Sequence, residues 1–107
     1  MKKIGSWTYR LANPVDITAQ EAIVGKIEKE GPLGKYFTNY SEDEYFGEET
    51  FEKAESRMQK EVLNRVLEQS KASPKPIDFV FAGDLLNQCI GSNYSIRDLN
   101  MQFFGLY

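Results

Sequence analysis

Two short apolar runs with a helix-length segment between them constrain this chain more than anything else in its sequence. Ile77-Asp78-Phe79-Val80-Phe81-Ala82 is nearly continuous in apolar character and breaks at Gly83-Asp84, and Met101-Gln102-Phe103-Phe104-Gly105-Leu106-Tyr107 is a second run of strand length. Apolar runs of this length that do not alternate describe strands covered on both faces. Between them, Ser92 to Leu99 predicts a short helix with Ser92 as cap and Tyr94 and Ile96 turned inward. Ahead of them, Phe51, Ala54, Met58, Val62 and Val66 recur at spacings of three and four, with Leu63 and Leu67 widening the stripe. That pattern predicts an amphipathic helix from Thr50 to Lys71. Thr50 is its expected N-cap, Glu48, Glu49 and Glu52 sit where the helix dipole favours negative charge, and Arg57, Glu61 and Arg65 make an i, i+4 chain on the wet side. The acid-rich face is expected to be solvated, and the helix ends before Pro74 and Pro76. Helix, strand, helix and strand in this order imply right-handed βαβ crossovers and a mainly parallel sheet, which is the α/β fold class.

The first half of the chain is less regular. Trp7, Tyr9 and Leu11 alternate, which predicts a half-buried strand over Ile4 to Leu11, and Asn13-Pro14 turns the chain. Val15, Ile17 and Ala19 alternate in the same way and predict a second short strand or extended segment. Gly25 to about Gly47 is rich in Gly, Lys, Glu, Tyr and Asn, with Gly31-Pro32-Leu33-Gly34 a turn and Glu42-Asp43-Glu44 an acidic cluster, and it reads as a long loop. Loops longer than ~15 residues inside a compact domain are uncommon. Leu33, Tyr36, Phe37, Tyr40, Tyr45 and Phe46 therefore call for a partner surface or the rest of a larger fold. Trp7, Tyr9 and Tyr36 are expected to be core or interface anchors.

Composition removes whole classes of function. At 107 residues, 41% hydrophobic and 27% charged, the chain reads as one globular domain of ordinary make-up. No stretch approaches the ~20 apolar residues of a membrane span, and the opening Met-Lys-Lys-Ile-Gly-Ser-Trp turns polar before a signal peptide could develop, so a cytoplasmic product is the default expectation. A net charge of −3 argues against nucleic acid as a partner, because a phosphate backbone needs clustered positive charge. There is no His and a single Cys. Within this chain there can be no Cys-His or Ser-His pair, no His-ligated zinc and no disulfide. Cys89 reads as a small buried hydrophobe rather than a nucleophile. No catalytic residue, metal site or cofactor is expected.

In an open parallel sheet, ligands bind beyond the carboxyl ends of the strands. That address is occupied here by Ala82-Gly83-Asp84-Leu85-Leu86-Asn87-Gln88. Asp84, Asn87 and Gln88 bring one carboxylate and two carboxamides to one strand end and are the candidate ligand-binding residues. The same residues allow a local reading, in which Asp84 caps the N–H groups of the next turn and the amides satisfy loop carbonyls.

Together, the Gly31-Pro32-Leu33-Gly34 turn, the Tyr-Ser-Glu-Asp-Glu loop, the Phe-Glu-Lys-Ala-Glu helix and the Ala82-to-Gln88 string followed by Asn93-Tyr94 resemble the N-terminal part of the stage V sporulation protein AD family. The resemblance runs from about Trp7 to Tyr107. It implies a thiolase-like fold, related to ketoacyl synthases and built from two similar βαβαβαββ halves in αβαβα layers, of which this chain would supply the first β, α, β, α, β run. In the family, the strand matching Phe103 to Tyr107 leads into a Gly-Ala-Cys-Ser elbow, so the resemblance also implies a chain cut just before that elbow. Cys89 does not match the elbow Cys and does not inherit its role.

For function, the resemblance implies binding and transport rather than condensation. The family belongs to a multi-protein apparatus that moves dipicolinic acid, with its calcium, into the developing spore and releases it at germination. The implied partners are dipicolinic acid and the other stage V sporulation A-operon proteins, and the implied location is peripheral at the spore inner membrane. Asn87 and Gln88 would donate to the ligand carboxylates, whereas Asp84 would repel them unless calcium bridges the two or Asp84 orients the neighbouring donors. The alternative is a ketoacyl-synthase-type condensing or acyl-transfer enzyme, which needs a Cys at the elbow and His or Asn residues beyond this sequence. A sheet left without its neighbours exposes a pairing edge and an apolar face, so the chain alone is expected to form a homodimer or to aggregate.

Overall fold

The computed structural model describes residues 1–71, 77–86 and 88–106. In chain order the elements are β1 (Lys2–Lys3), β2 (Tyr9–Arg10), α1 (Lys26–Glu30), a 3-10 turn (Gly34–Tyr36), α2 (Phe51–Ser70), β3 (Phe79–Ala82), α3 (Ile90–Ile96), a second 3-10 turn (Arg97–Leu99) and β4 (Gln102–Gly105). The result is a mixed α/β chain. β1 and β2 pair antiparallel, β3 and β4 pair parallel, and Val24 makes an isolated parallel bridge to Tyr40.

α2 follows from local rules. The Thr50 hydroxyl accepts from the Lys53 N–H at 3.2 Å, and Lys71 closes the other end in the left-handed conformation, with φ of 51°. Of the expected i, i+4 chain, Arg65 and Glu61 pair at 3.6 Å, while Arg57 turns to Glu48 instead at 3.5 Å. The Pro74 and Pro76 stop signal lies outside the described residues.

β3, α3 and β4 form the second half. Phe79 pairs with Gln102, Val80 with Phe103, Phe81 with Phe104 and Ala82 with Gly105, so the expected parallel relation is present. The expectation of two covered faces is corrected. Val80, Ala82, Phe103 and Gly105 are half-buried, but Phe79, Phe81 and Phe104 stand exposed on the opposite face, with Phe81 stacked on Phe104 at 5.3 Å between centroids. The predicted strand end at Tyr107 lies outside the described residues.

The buried core is small. Val24, Phe46, Ala54, Cys89 and Ile96 are its apolar members, and Ser92 and Ser95 are its fully enclosed polar ones. Most of it lies where α2 packs on α3 and α3 packs in turn on β4. α3 starts two residues earlier than its predicted cap: Ser92 sits inside the helix and is buried, Ile96 is buried as expected, and Tyr94 points out rather than in. Gly91, Ser92 and Ser95 face α2 because a close helix contact needs small side chains there, which displaces the larger Tyr94. The radius of gyration is 16.3 Å, against about 13 Å for a compact domain of this length, so the chain is more open than a finished globule.

The N-terminal half departs furthest from the sequence expectation. Gly5-Ser6-Trp7 is a turn, so Ile4 to Leu11 is a hairpin rather than one strand, and Trp7 is 95% exposed. Tyr9 and Tyr36 are exposed too, so none of the three is a core anchor in this chain. Val15 and Ile17 are exposed and lie outside any strand. The expected long loop is partly ordered by α1 and the Gly34–Tyr36 turn. Lys29 Nζ ties the two together by donating to Gly34 O at 3.1 Å and Phe37 O at 2.7 Å.

Candidate functional site at the exit of β3

β3 and β4 run parallel, so their carboxyl ends share one edge, and Leu106 N–H extends the ladder by donating to Ala82 O at 2.8 Å. Gly83 takes the chain off that edge. A Cβ there would lie 2.6 Å from Leu106 O, closer than any side chain tolerates, so the exit requires glycine.

Asp84 then folds the loop back onto α3. Its Oδ1 accepts from the Cys89 N–H at 3.1 Å, and its Oδ2 accepts from the Ser92 N–H at 3.1 Å and the Ser92 hydroxyl at 3.0 Å. These donors include orphan N–H groups at the helix start, where the dipole also favours a carboxylate. Gln88 and Cys89 are both in the left-handed region, with φ of 44° and 70°. Neither is glycine, and each such residue costs about 1 kcal/mol or more, so the Asp84 bonds hold a strained bend in place.

α2 supports the same loop from below. Gln59 Nε2 donates to Gly83 O at 3.3 Å, Glu55 accepts from the Leu85 N–H at 3.1 Å, and Ser56 donates to Gly91 O at 3.0 Å. Ser95 Oγ lies 3.2 Å from Gln59 Oε1 and 2.9 Å from Ser92 O. Sequence reasoning assigned this acid-rich face to solvent and missed Glu55, Ser56 and Gln59. Their only signal was the i, i+4 spacing of two polar residues beside the apolar stripe.

The predicted site residues are therefore placed unequally. Asp84 and Gln88 share the exit loop, but Asp84 directs both oxygens at α3, as the local alternative described, while Gln88 is exposed. Asn87 lies outside the described residues. Cys89 is 3% exposed, donates through its thiol to Leu106 O at 3.4 Å and packs against Gly105, as a small buried hydrophobe does. Chemically, the exit offers a carboxamide with two donors and an acceptor on a strained bend, backed by a carboxylate that fixes where the bend points. Among the described residues, no group of three or more His, Cys, Asp or Glu is placed to hold a metal ion, and no helix is long and apolar enough to cross a membrane.

A separate cleft of about 700 Å³ opens between α2 and α3. Lys53, Arg57, Lys60, Tyr94 and Arg97 line it, and Gly91 joins it to the Asp84 side. Its cations already lie near acids: Lys60 is 3.4 Å from Asp98, Arg57 3.5 Å from Glu48, Lys53 3.6 Å from Glu49 and Arg97 3.9 Å from Asp98.

A sequence profile of the family described as Stage V sporulation protein AD matches residues 5–107. Stage V sporulation protein AD of Bacillus subtilis (strain 168) is similar to this chain, with 30% identity over 107 residues, covering all of this chain and 32% of that protein. The chain thus spans about a third of the length of the curated relative it matches.

Proposed function

This chain belongs to the Stage V sporulation protein AD family, with the role in sporulation that membership implies, and we propose that it supplies the N-terminal part of a thiolase-like, noncatalytic subunit that binds dipicolinic acid. On this reading the subunit serves the apparatus that carries dipicolinate and its calcium into the developing spore and releases them at germination. It sits peripherally at the spore inner membrane beside the other stage V sporulation A-operon proteins. Asp84, Asn87 and Gln88 form one edge of the ligand pocket.

The observation that carries this reading is the exit bend. Two parallel strands end at one edge, glycine lets the chain leave sharply, and a carboxylate holds two successive non-glycine residues in a left-handed turn beside an exposed carboxamide. Strain held in place by surrounding bonds is concentrated at functional sites in proteins. Of the two roles open to Asp84, its bonds to α3 favour orienting the loop donors over direct ligand contact, which also keeps its charge away from a dianionic ligand. Gln88 and Asn87 are then the donors.

Calorimetry of a family-length protein containing this sequence tests the reading, with dipicolinic acid in the presence and absence of calcium. Gln88→Ala is expected to weaken binding at least tenfold without changing stability. Unchanged affinity in Gln88→Ala and in an Asn87→Ala variant would remove the exit bend from the site. Turnover of an acyl-CoA by the same protein would move the assignment to a ketoacyl-synthase-type enzyme.

A further inference from the structure

The first eleven residues form a surface to which the reading above gives no role, and their assignment below rests on the peripheral membrane location in that reading. Lys2 pairs with Arg10 and Lys3 with Tyr9, and the Ile4 N–H donates to Thr8 O at 2.9 Å, which closes the hairpin around Gly5-Ser6-Trp7. The turn carries the Trp7 indole into solvent with Ile4 exposed beside it, while Tyr9 and Leu11 are exposed farther back along the hairpin. Lys2, Lys3 and Arg10 stand behind the tip. The first acidic residue in the sequence is Asp16, and among the described residues none of these three cations has an ion-pair partner. Lys3 Nζ lies 6.0 Å over the Tyr9 ring. A local excess of positive charge thus sits on a chain whose net charge is −3.

We propose that this hairpin is a docking surface for an anionic lipid bilayer, with Trp7 at headgroup depth and Lys2, Lys3 and Arg10 against the lipid phosphates. Indole and phenol rings favour the membrane–water interface, where the ring leaves water and its N–H or O–H stays wet. Basic residues near an anionic leaflet each raise partitioning about fivefold. Weak insertion and weak attraction together give stable but reversible attachment where either alone does not. An acidic protein would also satisfy the cations, but protein anchors gather aromatic side chains in a packed patch. Here a single indole leads at a hairpin tip with Ile4 beside it, and among the described residues no packed patch of aromatic rings surrounds it. The surface uses none of the exit-bend residues, so its failure leaves dipicolinate binding at that bend untouched, and the reverse holds.

Trp7 is the only tryptophan in the chain, so its fluorescence reports its own surroundings. The test titrates the chain with vesicles of equal parts phosphatidylcholine and phosphatidylglycerol, with pure phosphatidylcholine vesicles, and with soluble poly-glutamate. The expected result is a blue shift with the anionic vesicles alone, reversed by salt as the surface charge is screened. Lys2→Ser with Lys3→Ser should lower partitioning about 25-fold, as two independent fivefold losses. Trp7→Ser, followed by co-sedimentation, should lower it as well, and all three substitutions lie on exposed positions that leave the thermal midpoint unchanged. Binding without an emission shift, partitioning unaffected by these variants, or an equal shift with poly-glutamate would overturn the proposal, the last in favour of an acidic protein partner.

Discussion

Asp84 reaches eight residues ahead to Ser92 and accepts from both its backbone N–H, at 3.1 Å, and its hydroxyl, at 3.0 Å. One carboxylate oxygen thereby fixes the start of α3, while the other holds Cys89 and with it the left-handed bend that presents Gln88. The loop that could meet a ligand and the helix that packs on α2 are set by the same side chain.

Removing that side chain should therefore be costly before any ligand is added. Asp84→Ala loses a helix cap and strands the enclosed N–H and hydroxyl of Ser92, together about 3 kcal/mol. Asp84→Asn keeps one acceptor and should cost roughly half as much. Urea denaturation followed by circular dichroism checks both, and midpoints equal to that of the unsubstituted protein would show that Asp84 does not carry the helix start.

Gln88→Gly should separate stability from binding. Glycine relieves a left-handed residue worth about 1 kcal/mol but adds freedom to the unfolded chain, for a net gain near 0.5 kcal/mol. The same change removes the exposed carboxamide. A variant that melts higher yet binds dipicolinate less tightly is the expected outcome, whereas a lower midpoint would mean the bend is not strained.

Gly83→Ala places a methyl group 2.6 Å from Leu106 O, where backbone rather than a movable side chain must give way. A loss of about 1–3 kcal/mol is expected, because overpacking forces the β3 exit and β4 apart. Hydrogen exchange at Leu106, whose N–H donates to Ala82 O, should quicken in step. Unaltered protection there would contradict the close approach.

The Ser41 to Gly47 turn should respond to acid through Asp43. Its carboxylate accepts from the Tyr45 N–H at 3.0 Å and the Gly47 N–H at 2.8 Å, and these bonds, Tyr45 first, hold its pKa below the ordinary 3.8. A depressed carboxyl contributes stability that is fully present above the unfolded-state value and is lost as pH falls through the lower folded-state one. The Tyr45 and Gly47 amide resonances should thus titrate together with a midpoint below 3.8. In Asp43→Asn the dependence disappears, and a midpoint at or above 3.8 in the native protein would refute the two bonds.

Much of this was legible in the sequence, and the divide follows the range of the forces involved. Thr50, the three- and four-residue spacing from Phe51 to Val66 and the parallel match of the run after Ile77 with the run after Met101 are local or pairwise signals, and they located α2, β3 and β4. The start of α3 was misplaced because its cap comes from Asp84 across a loop rather than from the residue just before it. Tyr94 was turned the wrong way because apolarity argued for burial, whereas the approach of α2 admits only Gly91, Ser92 and Ser95. Alternation at Trp7, Tyr9 and Leu11 suggested one strand, but Gly5-Ser6 let the chain reverse first. Glu55 and Gln59 looked like wet residues, since nothing in a single sequence shows which loop a helix will meet.

The most direct test is an amide chemical-shift titration with dipicolinic acid on a family-length protein containing this sequence. Saturable shifts should centre on Gly83, Leu85, Gln88 and Cys89, with Lys53, Lys60 and Arg97 in the neighbouring cleft unmoved. Shifts gathered at those three cations, or none at the β3 exit at saturating ligand, would contradict the assignment.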